Sequence, residues 1–365
     1  MVKIRLERLR AVIRRQKLDG LLVTHPANRF YLSGYHAGDG QFGESSGALL
    51  ITQTDALLLT DFRYALSAAE QAPLFTPVIY RRNLAAELAE IAQARRLKKI
   101  GCEADALLIS QHTRLADALA GVELIPTLDL VAGLRVLKHP DEVAAITKSL
   151  HLMESVLDGV MASDLVGKTE RQVALMILRG IEAAGGDGPS FEPIVASGPN
   201  AAEPHAEPGG RVIAPGDTVI LDVGAKLDGY CSDITRTLMA GGLAAAPPQF
   251  AEIYGTTRKA MLTAVAGIRP GMSGKQADAL AREVIAAAGH GERFGHSLGH
   301  GVGLMTHEDP HVSPVSPEAL KPGMIFTIEP GIYLPGWGGV RLEQMVLLTP
   351  TGCQLLNRLD RFYDL

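Results

Sequence analysis

Two stretches of the chain resemble each other: APGDTVILDVG at 214–224 and KPGMIFTIEPG at 321–331. An ungapped alignment of the two superposes, among other pairs, Pro215 on Pro322, Gly216 on Gly323 and Asp222 on Glu329. Each stretch contains an apolar run that is typical of a buried strand and that ends on a carboxylate. We therefore predict an internal duplication, a feature that has to be recognised before any single motif is interpreted.

The helices expected before these strands repeat as well. Thr169 and Gln172 form a capping-box pattern in front of an apolar-periodic segment, and Ser273 and Gln276 form the same pattern 104 residues later. The sequence thus predicts two copies of a helix-plus-hairpin unit that face each other. Each copy presents an acid from an apolar strand.

A second acid follows the turn of the first hairpin. Asp233 comes eleven residues after Asp222, beyond the Asp228-Gly229 pair that signals a tight turn. We expect Asp222 and Asp233 to fall nearly opposite each other on antiparallel strands. A single acid of this kind more often caps a turn or pairs with an arginine, so the prediction depends on further acids nearby.

The second copy supplies those acids. Glu329 ends the strand IFTIE, the turn LPGWGG at 334–339 reverses the chain, and Glu343 returns in VRLE. Four carboxylates brought together repel one another unless cations lie between them. Two divalent ions would balance the four negative charges, so a dinuclear metal site is predicted.

A histidine-rich segment, GHSLGHGVGLMTHEDP at 295–310, offers the fifth ligand. Its glycines favour a loop that leads into a strand, and His300 is the candidate ligand. Four carboxylates and one imidazole suit manganese, cobalt or iron(II), and zinc is also compatible with these donors. His205, His296 and His307 flank the predicted ligands and are therefore interpreted as functional.

The rest of the sequence predicts how the chain is divided into domains. Residues 1 to about 130 alternate helix-like and strand-like pieces, which predicts a small α/β domain. The segment LRVLKHPDEV at 134–143 resembles a boundary, because Pro140 suits the first turn of a long helix. We therefore predict an α+β protein with an N-terminal domain at 1–132 and a catalytic domain at 133–365.

Composition excludes several classes of protein. The 35 Lys and Arg against 40 Asp and Glu give a net charge of −5, which provides no basic excess for nucleic acid. No apolar run is long enough to span a membrane, and the first twenty residues lack a signal-peptide core. Cys102, Cys231 and Cys353 lie far apart, which favours a reducing cytoplasm over a disulfide framework.

Five ordered motifs resemble those of the pita-bread metallopeptidases, in the prolidase, aminopeptidase P and creatinase branch. They are SFEPIVASGPNAAEPHAEP, GDTVILDVGAKLDGYCSDITRT, GHSLGHGVGLMTHEDP, FTIEPGIY and GGVRLEQMVLLT. The resemblance covers residues from about 132 to the C-terminus, and TDFRY at 60–64 is similar to the N-terminal domain of this branch. It implies a pita-bread catalytic domain that follows a smaller creatinase-like domain.

The resemblance also implies roles for individual residues. Asp222 would chelate one metal ion, Asp233 and Glu343 would bridge both ions, and His300 and Glu329 would hold the other. His205 would contact the reacting carbonyl, and His307 would assist the tetrahedral intermediate. His296 and Tyr333 would line the pocket, and Arg341 would support Glu343. Glu329 could also shuttle a proton. The implied activity is hydrolysis of the bond between an N-terminal residue and proline by a homodimer carrying two divalent ions, with manganese expected.

Two positions depart from the pattern of this branch. Gln344 stands where many relatives have a second acid, which removes a charge next to Glu343. His311 stands where many prolidases have an arginine that grips the carboxylate of a dipeptide. Whether the substrate is a dipeptide or a longer peptide is therefore left open, although His311 is still placed in the substrate pocket.

Three other functions are compatible with the same fold. A creatinase-like C–N hydrolase works without these metals, and methionine aminopeptidases usually lack an N-terminal domain of this kind. A non-enzymatic interaction protein would be expected to have lost some of the ligands. All five ligands are present here, which favours a metal-dependent peptidase.

Overall fold

The computed structural model describes residues 1–37 and 45–364. Within these ranges the chain forms two compact units, Met1–Arg135 and Val136–Leu365. The boundary expected from the sequence, after residue 132, falls at the start of a short helix, Ala132–Arg135, which belongs to the first unit. The domain limits stay a prediction. No helix in the described ranges is long and apolar enough to cross a lipid bilayer.

The first unit is a sheet with helices packed against it. Its strands are β1 (Gly20–Val23), β2 (Ala48–Thr52), β3 (Ala56–Thr60), β4 (Thr76–Ile79), β5 (Lys99–Glu103) and β6 (Glu123–Thr127), in the order β4-β3-β2-β1-β5-β6. Its helices are α1 (Val2–Arg15), α2 (Pro26–Ser33), α3 (Ala65–Gln71), α4 (Leu84–Arg95), α5 (Ile109–Ala118) and α6 (Ala132–Arg135). Leu22, Leu50 and Ile100 from adjacent strands are fully buried in its core.

The second unit carries longer helices and several small antiparallel sheets. Its helices are α7 (Pro140–Met161), α8 (Glu170–Ala183), α9 (Pro248–Gly267) and α10 (Gly274–Ala287). Its strands are β7 (Gly188–Pro189), β8 (Ile194–Ser197), β9 (Thr218–Val223), β10 (Ala225–Leu227), β11 (Tyr230–Cys231), β12 (Ile234–Met239), β13 (Gly299–Gly301), β14 (Glu308–Val312), β15 (Ile325–Ile328), β16 (Gly331–Leu334), β17 (Gly338–Arg341), β18 (Gln344–Thr349) and β19 (Gly352–Leu355). The predicted α+β class is confirmed.

Helix α7 begins where the sequence predicted it. Pro140 occupies the first turn, where its missing N–H removes no helical hydrogen bond, and His139 caps the helix. Its apolar stripe is buried at Ile146, Leu150, Met153, Leu157 and Val160. Burial of this stripe fixes the helix against the sheets that carry the acids.

The predicted duplication is confirmed in detail. Thr169 Oγ1 and Ser273 Oγ each accept a hydrogen bond of 3.1 Å from the backbone of the third helical residue. The two capping residues also form isolated β-bridges at equivalent positions of the two copies, Thr169 with Val212 and Ser273 with Ala319. The aligned glycines Gly216 and Gly323 both adopt left-handed backbone, with φ of +85° and +94°.

The cap of α10 provides a test of this local structure. Ser273→Ala removes the side-chain acceptor at the helix N-terminus and should lower the free energy of unfolding by about 1 kcal/mol. Urea denaturation of the purified protein measures the loss. Lys275→Ala, an exposed change in the same first turn, is the control and should alter the midpoint little; equal effects of the two variants would contradict the capping role.

Candidate metal centre

The first hairpin supplies Asp222 and Asp233. Asp222 lies in β9, and Asp233 directly precedes β12, the antiparallel partner of β9. Thr235 is the residue opposite Asp222, so the expectation that Asp233 lies nearly opposite is wrong by two positions. The reason is the position of the turn at Asp228 and Gly229 (φ +51° and +81°), which pairs Leu227 with Tyr230; the same register continued along the strands pairs Asp222 with Thr235.

The second hairpin supplies Glu329 and Glu343 in a related way. Glu329 directly follows β15 and Glu343 directly precedes β18, and the ladder between these strands ends at Ile328 and Gln344. The backbone N–H of Glu343 donates to the carbonyl of Thr235 at 3.2 Å. This bond joins the two hairpins at the point where their acids emerge.

The four carboxylates and one imidazole converge in space. Ligand oxygens of Asp222, Asp233 and Glu343 all lie within 4.8 Å of one another. His300 Nε2 lies 3.2 Å from Glu329 Oε1 and 3.6 Å from Asp233 Oδ2. The structure therefore brings together all five residues that the sequence proposed as metal ligands.

The donor set fits divalent metal ions. Asp222 Oδ1 and Glu343 Oε1 are buried, and neither has a hydrogen-bond partner. Buried anionic oxygens without partners are strongly destabilising unless a cation satisfies them. His300 donates through Nδ1 to the carbonyl of Gly301 at 3.1 Å, which leaves Nε2 aimed at Glu329 and Asp233 and available as a ligand.

Crowding shifts the pKa values of these acids. Burial raises the pKa of Asp233, and the charges of Glu343 and Asp222 raise it further. Burial likewise raises the pKa of Glu343 well above its usual value, with the charges of Glu329 and Asp222 adding to the effect. Both carboxyls therefore resist ionisation unless positive charge is provided.

His300 and Glu329 form an ion pair in the absence of metal. Burial disfavours a charged imidazole, yet the hydrogen bond and charge of Glu329 raise the pKa of His300 to about 9. Burial alone would raise the pKa of Glu329, but the bond and charge of His300 lower it to about 2. A metal ion bound by Nε2 has to displace the proton of His300, so binding is coupled to proton release.

Arg341 lies behind the acids and hydrogen-bonds to side chains of the site. Its guanidinium is 3% exposed and donates to Asp222 Oδ2 at 2.6 Å and to the hydroxyl of Tyr333 at 2.8 Å. Arg341 reaches Glu343, which it is expected to support, only through Thr235, because its Nε donates to the hydroxyl of Thr235 at 3.4 Å. The hydroxyl of Thr235 in turn donates to Glu343 Oε2 at 2.8 Å.

The hydrogen-bond network fixes His296 as a neutral imidazole. Its Nδ1 pairs with the carbonyl of Ser297, and its Nε2 lies 2.8 Å from the hydroxyl of Tyr333. Arg341 already donates to that hydroxyl, so Tyr333 donates onward to Nε2. Burial also lowers the pKa of His296, which agrees with this assignment.

A cleft of about 460 Å³ opens over the cluster. The predicted site residues on its walls are Asp222, Asp233, His205, His296, His300, His307, His311, Glu329 and Arg341. The ring of His307 lies 4.1 Å from that of His300, and burial followed by the charge of His300 lowers its pKa. Tyr333 is buried and reaches the site through its hydroxyl, and Glu343 is 1% exposed at the base.

The sequence profile of Metallopeptidase family M24 matches residues 144–350, which is more than half of the chain, and that of the Creatinase/Prolidase N-terminal domain matches residues 5–137. The chain belongs to family M24. It is thus a metallopeptidase, and the predicted assignment to this family is confirmed.

Individual relatives of this M24 chain align over nearly its whole length. The Xaa-Pro dipeptidase of Pyrococcus furiosus is 34% identical over 361 residues, covering 99% of both chains. The solved structure of an Xaa-Pro dipeptidase from Bacillus anthracis is similar with a TM-score of 0.93 and 35% identity, covering 98% of both chains. An X-Pro aminopeptidase from Thermotoga maritima has a TM-score of 0.87 and 30% identity, covering 96% of this chain and 98% of its own.

Sequence reasoning missed several residues of the M24 site. Thr235 was not recognised, although it lies two positions after Asp233 and so shares a strand face with it. Glu192 and Glu207 line the cleft beside the histidines, and Phe191 adds an aromatic wall. These three side chains lie in irregular segments, where no periodic pattern indicates which way a residue points.

The electrostatic argument predicts the behaviour of Asp233→Asn. The folded state raises the pKa of Asp233, so the unfolded state gives up this proton more readily and the metal-free protein loses stability as the pH rises above the unfolded pKa. The amide removes this penalty and should raise the melting temperature of the chelator-treated protein at pH 7. It should also abolish most of the further rise that manganese gives the wild type.

Thermal unfolding with and without manganese checks both effects. Asp228→Asn is the matched control, since its side chain is 69% exposed in a turn and asparagine tolerates the same left-handed backbone. It should leave both melting temperatures unchanged. An Asp233→Asn protein that gains as much from manganese as the wild type would disprove the ligand role.

Proposed function

We propose that this chain hydrolyses the peptide bond between an N-terminal residue and a following proline, using two divalent metal ions. The observation that carries the proposal is the convergence of four carboxylates and His300, with buried oxygens of Asp222 and Glu343 that lack partners. The relatives, which are Xaa-Pro dipeptidases and an X-Pro aminopeptidase, support proline-directed cleavage. Residue spacing alone does not reveal that specificity.

Each ligand is assigned one role in holding the ions. Asp222 would chelate one ion, Asp233 and Glu343 would bridge both, and His300 with Glu329 would hold the other. We propose manganese as the physiological metal, because oxygen donors dominate the set. When bound, the ions supply an activated water nucleophile and stabilise negative charge on the substrate carbonyl.

The surrounding side chains orient the substrate and move protons. His307 and His205 face the cleft and would donate hydrogen bonds to the reacting carbonyl as it gains negative charge. Glu329, close to His300, would receive a proton and return it to the leaving nitrogen of proline. His296, fixed as a neutral acceptor, keeps the hydroxyl of Tyr333 in place and so supports Arg341.

The charges on the cleft walls bear on the choice between dipeptides and longer peptides. Among the described residues that line it, Arg341 is the sole arginine or lysine, and its guanidinium is bound to Asp222 and Tyr333. Glu192 and Glu207 add negative charge to the walls. A free carboxylate on the proline of a dipeptide therefore meets little fixed positive charge, so we propose Xaa-Pro-Xaa peptides as the better substrates.

We further propose a homodimer in a reducing cytoplasm. The dimer rests on resemblance to the prolidase branch. A reducing compartment is supported by the cysteines, since Cys102, Cys231 and Cys353 are all free thiols.

Cleavage assays test the proposed reaction. Metal-loaded protein should release the N-terminal residue from Ala-Pro, Gly-Pro and Xaa-Pro-Xaa tripeptides, and chelation should abolish the activity. His307→Ala should keep the metal content of the wild type and lower kcat by about 100-fold or more, as expected for a residue that hydrogen-bonds the reacting carbonyl. Metal-loaded wild type that cleaves no proline peptide would refute the function.

The substrate preference depends on the charge at position 311. His311→Arg places a permanent cation at the cleft wall and should lower KM for Ala-Pro without lowering it for Ala-Pro-Ala. Steady-state kinetics on the two substrates measure this difference. His311→Gln adds no charge and is the control; a similar change of both KM values in His311→Arg would argue against the proposed preference.

A further inference from the structure

A buried ion pair lies behind the segment that presents His307. Lys138 Nζ is 2.6 Å from Glu308 Oε1, and the two side chains are 2% and 10% exposed. His307, the neighbour of Glu308 in sequence, instead lines the cleft and contacts the ring of His300. Glu308 begins β14 and His307 directly precedes it, so the ion pair anchors the residue next to the one that lines the cleft.

The backbone of Lys138 is hydrogen-bonded to other segments of the second unit. Its backbone N–H donates to the carbonyl of Gly323 at 2.8 Å, and the N–H of Gly323 donates to Leu348 at 2.8 Å. Two residues after Lys138, Pro140 begins α7. The ammonium group is thus fixed relative to the hairpin that carries Glu329 and Glu343, without any contribution from the cleft.

Glu308 is packed against the loop that connects β13 to β14. A Cβ atom at Gly303 would lie 2.2 Å from Glu308 Oε1, so glycine is what permits this approach. The carbonyl of Gly303 accepts from Cys231 at 2.7 Å, and the hydroxyl of Thr306 donates to Ser190 at 3.0 Å. The loop is therefore attached at each of these points, and two attachments flank His307 in the chain: the Thr306 hydrogen bond before it and the ion pair of Glu308 after it.

We propose that Lys138 is a positioning residue: through Glu308 it holds His307 at the distance from the ligand cluster that hydrolysis requires. The proposal rests on the proposed function, in which His307 hydrogen-bonds the reacting carbonyl. A buried ion pair generally contributes little net stability compared with apolar side chains of similar size. Its directional character suits the placement of a neighbouring catalytic group better than it suits stabilisation of the fold.

A double-mutant cycle on kcat tests this proposal. Lys138→Met should lower kcat by about 10–100-fold, the scale expected for a misplaced catalytic group, and leave KM and metal content nearly unchanged. In a His307→Ala background the same change should lower kcat by no more than about twofold, because residues that act through one another are not additive. Equal factors in the two backgrounds would overturn the proposal.

Two further variants control for misfolding and for effects of removing any lysine that forms an ion pair. Lys138→Met combined with Glu308→Met removes both charges, so it should keep the melting temperature of the wild type and still lose kcat. Lys148→Met is the matched control, since Lys148 forms an ion pair with Asp228 that is 64% and 69% exposed, and it should leave kcat unchanged. A double methionine variant with wild-type kcat would also overturn the proposal.

Chemical modification separates failure of this proposal from failure of the proposed function. The rate at which diethyl pyrocarbonate modifies His307, followed by mass spectrometry, needs no turnover. Lys138→Met should raise this rate several-fold over that of the wild type, and Lys148→Met should not. An unchanged rate in Lys138→Met contradicts the positioning role even if the wild type proves inactive on proline peptides.

Discussion

Four carboxylates gathered at one buried site are the constraint on which the second unit depends. Ligand oxygens of Asp222, Asp233 and Glu343 lie within 4.8 Å, and Glu329 joins them through His300. Burial raises the pKa of Asp233 and Glu343, which shows that the site is unfavourable for charge until cations arrive. The fold maintains a cluster that would disperse if its side chains were free to reach water.

Internal duplication is how the fold keeps the cluster together. Each copy ends an apolar strand on an acid and returns a second acid from the partner strand, and the two copies meet where Glu343 bonds to Thr235. Arg341 lies beneath the cluster and balances part of its charge through Asp222. Ligands on the ends of paired strands are held more rigidly than ligands on loops, which suits a site that must fix two ions.

The features that were predicted correctly from the sequence are those that short local patterns encode. Capping boxes at Thr169 and Ser273, the Asp228-Gly229 turn and the start of α7 at Pro140 were all correct, because each is decided within a few residues. The partner of Arg341, the role of Thr235 and the Lys138–Glu308 pair join residues more than a hundred positions apart. No local pattern reports such contacts, so tertiary structure was needed to find them.

The metal content of the purified chain tests the central claim most directly. Protein loaded with manganese, dialysed and analysed by inductively coupled plasma mass spectrometry should hold about two equivalents per chain, as two bridging and three terminal ligands require. Replacement of the bridging Glu343 by alanine should reduce that number sharply. Less than one equivalent in the wild type, or an unchanged content in Glu343→Ala, would contradict a dinuclear centre built from these acids.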